Sequence, residues 1–277
     1  MSTYQKDGLV FFDGFFDTPV LSLKSDVTDF EIEYIRNNKI KAISLDNSIS
    51  DFSFISQIQL IEEIYVGESI HLSRLYELKK IKRLIANTKI KKNIQFEMFD
   101  ELEILSIDWF GMPIDLSENS RLIELSIWKF KPKSKSFSEL NLPDSLKKIH
   151  ITKSNVISLE NLNARGLKIF EGHYCNALTT LNGAEKLKNN IQIIVLDYCR
   201  QLSDYHELSL CLNLEKIILG NCGDIPTLSW LVELSKVNYF SFWGTKVIDG
   251  DLSPCKGIAY VSFKNQKWYN HKEKDFM

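Results

Sequence analysis

The stretch Ile191-Gln192-Ile193-Ile194-Val195-Leu196-Asp197-Tyr198-Cys199-Arg200-Gln201-Leu202 sets apolar residues at its first, fourth, sixth and twelfth places and a cysteine at its ninth. Leu214-Glu215-Lys216-Ile217-Ile218-Leu219-Gly220-Asn221-Cys222-Gly223-Asp224-Ile225 repeats the pattern place for place. Leu167, Phe170, Gly172, Cys175 and Leu178 repeat it again, with a small residue at place six. Self-similarity at a fixed period of about 20–50 residues marks a stack of repeats, so this register is extended before any other feature is read.

Carried both ways, the register opens units at Ile40, Ile61, Ile81, Leu102, Leu122, Leu146, Leu167, Ile191, Leu214, Val237 and Ile258, eleven units spaced by 20 to 24 residues. Alternation around places four and six is the period-two pattern of a short strand. Apolar residues at places twelve, fifteen and eighteen have the spacing of a helical or 3-10 return. Leu202, Tyr205 and Leu208 are such a set, placed to roof the core from the convex side. The expected class is α/β: a curved parallel sheet lining a concave face, with short helical, 3-10 or irregular returns on the convex face. One coil cannot bury its apolar face alone, so the ends need caps. Residues 1–39 read as an N-terminal cap and a degenerate first repeat, with a strand pair over 8–16 and Leu21 and Leu23 at places four and six. Residues 40–263 are the solenoid, and 264–277 a C-terminal cap or tail in which Trp268 and Tyr269 cover the last coil.

Composition bounds the function. The chain has 277 residues, 44% hydrophobic, with 34 Lys and Arg against 36 Asp and Glu. That balance gives no bulk electrostatic reason to bind nucleic acid or an anionic membrane. The start lacks a basic region followed by a long apolar run, and no stretch approaches the roughly 20 apolar residues that span a bilayer. Five cysteines without a CxxC pair fit a reducing cytoplasm, the expected location.

The arrangement resembles the leucine-rich-repeat family, whose motif reads LxxLxLxx(N/C)xxL. Cys175, Cys199 and Cys222 stand where that family uses Asn or Cys to hydrogen-bond backbone in the turn leaving the strand. Ser48, Ser69, Ser154 and Thr245 are small polar substitutes there. Lys89, Phe110, Phe130 and Gln266 depart from the motif, so the middle of the ladder is expected to be irregular, with the insertion 131–139 bulging outward. The ending Phe263-Lys264-Asn265-Gln266-Lys267-Trp268-Tyr269-Asn270-His271-Lys272 is similar to the tails of stand-alone bacterial repeat proteins. That similarity implies an immunity or inhibitor role towards a toxin or enzyme.

The ladder cysteines, one above another in successive coils, read as buried structural thiols. The histidines show no HxxxH or HExxH spacing, so zinc ligands would have to come from distant coils, and no metal or cofactor is expected. With no GxSxG and no phosphate-binding glycine loop, the chain reads as a non-enzyme. Places three, five and seven point out of the concave face. Place seven gives Asp108, Trp128, His173, Asp197 and Trp243, place eight adds Trp109, Tyr174 and Tyr198, and place five adds Tyr65 and His150. Trp128 and Trp243 have no core left to enter, and exposed aromatics beside Asp108, Asp197 and His173 match the composition of binding hot spots. The expected function is a scaffold that binds a protein partner there. The alternative is recognition of a peptide, glycan or nucleic acid, or an adaptor role.

Overall fold

The computed structural model describes residues 2–15, 18–24, 27–87 and 94–276. Phe16, within the expected capping pair, and Lys89 lie outside the described residues. The chain forms two compact units, 1–124 and 125–277.

The first unit opens with an antiparallel hairpin, Thr3–Lys6 with Leu9–Asp13, a few residues earlier than the expected pair. Pro19–Leu23 runs antiparallel to the hairpin and parallel to Ala42–Leu45, with Leu21 opposite Ile43 and Leu23 opposite Leu45. The degenerate repeat is therefore in register with its successor. Glu63–Val66, Arg83–Ala86 and Ile104–Asp108 follow in parallel. The first return is a true α-helix, Asp29–Asn37. Thr28 and Glu31 close a reciprocal capping box at its start, and Ile32 and Ile35 are its buried stripe.

In the second unit, Glu124–Trp128 begins at the boundary. Lys148–Thr152, Ile169–His173, Ile193–Asp197, Lys216–Gly220, Tyr239–Ser241 and Tyr260–Ser262 continue the sheet. Neighbours from Lys148–Thr152 onwards are parallel and pair place to place, Ile194 with Ile217 and Leu196 with Leu219. Each of the eleven units thus carries one strand where the alternation puts it. The returns are short 3-10 turns such as Ala184–Leu187, His206–Leu210 and Ser229–Leu231, and Leu202, Tyr205 and Leu208 are buried beneath them.

The core columns fill as the pattern requires, with one local exchange of volume. A methyl on Gly172 would come within 2.9 Å of Leu196 Cδ2, so the leucine of the next coil occupies the space the glycine leaves at place six. At place nine each thiol donates to a carbonyl at place six of the preceding coil. Cys175 reaches Ile151 O at 3.9 Å, Cys199 reaches Gly172 O at 3.6 Å, and Cys222 reaches Leu196 O at 3.4 Å. Thr245 continues the series to Leu219 O at 2.8 Å. Cys211, which the register leaves unassigned, donates to Ala184 O at 3.5 Å from the return side.

Two expectations about the middle need correction. Phe110 and Phe130 do not disrupt place nine but are buried, replacing a polar turn contact with apolar volume. The 131–139 insertion does not bulge outward as a whole, because it carries Phe137 into the core against Phe130 at 5.6 Å and Phe170 at 6.2 Å. Among the described residues, no helix is long and apolar enough to cross a membrane.

Candidate functional site

In the second unit, place eight is a left-handed backbone position in six successive coils. Lys129, Lys153, Tyr174, Tyr198, Asn221 and Gly244 have φ between 50° and 77°. The turn carries the ladder one residue past the strand. Lys153 N donates to His173 O, Tyr174 N to Asp197 O, Tyr198 N to Gly220 O and Asn221 N to Trp243 O, all at 2.8–2.9 Å. Side chains at place eight therefore leave the edge of the sheet in a common direction.

Tyr174 and Tyr198 consequently lie face to face, 4.8 Å between centroids and 8° between planes. Arg200 sits over the Tyr198 ring at 5.6 Å. With Asn176 and Gln201 these residues line an open recess. Tyr174 is 45% exposed, and at place seven Trp128 and Trp243 are 44% and 53% exposed.

Asp197 is partly committed, since it accepts from Asn221 Nδ2 at 3.2 Å and lies where a side chain on Gly220 would otherwise project. Trp128 meets His150 edge-on at 6.0 Å, and His150 meets His173 edge-on at 4.9 Å. His150 and Glu171 are opposite one another in register. Burial, then the neighbouring His173, lowers the His150 pKa from its ordinary value. His150, Glu171 and His173 form the single group of three ligating side chains found among the described residues. Adjacent coils bring them together, where the sequence reading expected only distant ones.

Asp108 and Trp109 lie in the first unit, and Trp109 leans against Phe110 at 6.0 Å. Tyr65 is not part of an open face. Its hydroxyl donates to the buried Glu63 at 2.8 Å and accepts from Phe15 N at 2.8 Å, while Phe12 and Phe15 pack around its ring. The segment after the hairpin crosses this part of the sheet, and Gly14 permits the approach, since a Cβ there would lie 2.8 Å from the Tyr65 hydroxyl. Thr152, also placed outward by the alternation, is a short side chain buried in the column between Trp128 and His173. Place three holds what the sequence reading missed. Tyr239 stacks on Tyr260 at 4.4 Å, with the Lys216 ammonium 4.6 Å from the Tyr239 ring.

No protein-family model and no curated protein sequence matches the chain. Solved structures do match by shape. The functional domain of InlJ from Listeria monocytogenes, described as including a cysteine ladder, aligns with a TM-score of 0.54 at 12% identity, covering 79% of this chain. This chain spans 48% of that structure's length. The internalin InlF of the same organism aligns at 0.44 and 15% identity, covering 89% of this chain and 87% of its own. A leucine-rich-repeat protein of Leptospira interrogans aligns at 0.37 and 13% identity, covering 77% and 74%. The fold is that of the leucine-rich-repeat proteins.

Proposed function

We propose that the second unit of this leucine-rich-repeat fold is a non-catalytic docking surface for a folded protein. The observation that carries the reading is the Tyr174–Tyr198 stack on left-handed backbone. A non-glycine residue there costs about 1 kcal/mol, and a turn shaped for folding alone favours Gly or Asn, as at Gly244 and Asn221. Two consecutive coils instead spend that position on large rings, Tyr174 exposed and Tyr198 half-buried beside it. Tyr and Trp bring area at low rotamer entropy, as binding hot spots do.

Charge on the face is mixed, with Lys148 and Lys216 among Glu171 and Asp197, which favours a protein surface over a phosphate backbone. Within this reading the tail similarity supports a toxin or enzyme as the partner and inhibition as the outcome, in a reducing compartment. The test is capture of a partner by the immobilised full chain, repeated with Tyr174→Ala/Tyr198→Ala. Capture should fall at least tenfold in affinity with the thermal transition nearly unchanged, and the purified partner should lose activity on binding. Equal capture by the double variant sinks the proposed surface.

A further inference from the structure

His150 stands on Lys148–Thr152, and Glu171 and His173 stand on the next strand, Ile169–His173. Alternation points Glu171 and His173 to one face, and the register sets His150 opposite Glu171 on that same face. One ligand atom from each residue can be chosen so that all three lie within 4.8 Å of one another. We propose that His150, Glu171 and His173 form a three-ligand site for a divalent transition ion of the zinc class, with a coordination position left open to the outside.

Two imidazoles and a carboxylate are the donors such an ion takes, at about 2.0–2.2 Å each. Tetrahedral donors at those lengths stand about 3.3 Å apart. Small side-chain rotations close the remaining gap, because all three groups are half-buried and keep room to turn. Neither ring nitrogen of His150 or His173 has a protein hydrogen-bond partner among the described residues, so no protein group there competes with an ion for them. The carboxylate has a competitor, the Lys148 ammonium 3.5 Å from Glu171 Oε1. A partly exposed pair of that kind contributes about 1 kcal/mol or less, and a divalent ion displaces it. The ligands rise from paired strands, not from loops, so the backbone positions are fixed before the ion arrives. Trp128, edge-on to His150 at 6.0 Å, is a built-in reporter.

The test needs no binding partner, so its failure is distinguishable from failure of the docking surface. Zn²⁺ titrated calorimetrically into the full chain should bind with one ion per chain. His150→Gln, Glu171→Gln and His173→Gln should each weaken binding at least about tenfold, since even outer partners of a metal site carry about 10–100-fold. Circular dichroism should stay unchanged in each. Cu²⁺ should quench tryptophan fluorescence, and Trp128→Phe should remove most of that quenching while leaving Zn²⁺ affinity intact. Co²⁺ should give the visible bands of a nitrogen and oxygen site. A thiolate-to-cobalt charge-transfer band, wild-type Zn²⁺ affinity in His150→Gln/His173→Gln, or no Zn²⁺ uptake at millimolar concentration would each overturn the proposal.

Discussion

At place nine a single thiol satisfies a carbonyl of the coil before it, so the tolerance of that position depends on size and donor capacity. Cys199→Ser keeps a small donor, as Thr245 does one coil beyond Cys222, and should shift stability little. Cys199→Leu overpacks the turn and should cost about 1–3 kcal/mol, read from denaturant unfolding. All five thiols are buried. Burial pushes Cys211 and Cys255 up to about 12, so both are protonated at neutral pH. Alkylation should wait for unfolding, and rapid labelling of the native chain at either residue would contradict this. At place eight, Tyr198→Gly relieves a left-handed tyrosine but loses the Tyr174 stack and the Arg200 contact. Terms of about 1 kcal/mol oppose one another, so the melting temperature should move little while partner affinity falls.

Between neighbouring coils the exchange of volume at place six sets up a measurable coupling. Leu196→Ala should cost about 2–5 kcal/mol, and Gly172→Ala about 1–3 kcal/mol because its methyl meets Leu196. Combined, the two should cost clearly less than their sum, since the smaller residue 196 makes room for the methyl, and strict additivity would show that the columns do not share that space. In the first unit, Tyr65→Phe removes the donor to Glu63 and the acceptor for Phe15 N, and should cost about 1–3 kcal/mol. The strands and returns were legible because stacking forces one apolar pattern on every coil. What lay over the strands was not: alternation places Tyr65 outward, and the path of the chain through Phe12, Gly14 and Phe15 covers it. Phe130 and the 131–139 insertion were misread because a motif position says nothing of which apolar neighbour, here Phe137, an insertion will supply. The left-handed turns were hidden too, as tyrosine carries no signal for positive φ. The 23-residue offset between His150 and His173, close to one coil, was the overlooked clue to their contact.

For the molecule as a whole, each coil borrows its core from the next, and the last must be closed by something that is not a coil. Phe263 stacks on Phe242 at 4.8 Å and on its other side meets Tyr269 at 5.7 Å and Phe276 at 6.0 Å. Trp268 Nε1 donates to Val247 O at 3.0 Å, and the Tyr269 hydroxyl accepts from Val247 N at 2.9 Å, so the covering segment is fastened by backbone as well as by rings. Ending the chain at residue 263 uncovers Phe263 and should drive self-association visible by light scattering. A monomer with an unchanged melting temperature would refute that role. The left-handed row of the second unit has a different consequence. At Lys153, Tyr174, Tyr198 and Asn221 its geometry is held by main-chain N–H groups that donate whatever residue is attached, so these four positions form an alphabet whose letters can be changed one at a time without rewriting the fold. A lineage or a designer could retarget such a surface by substitution in this row alone, each change projecting about 4.8 Å from the last.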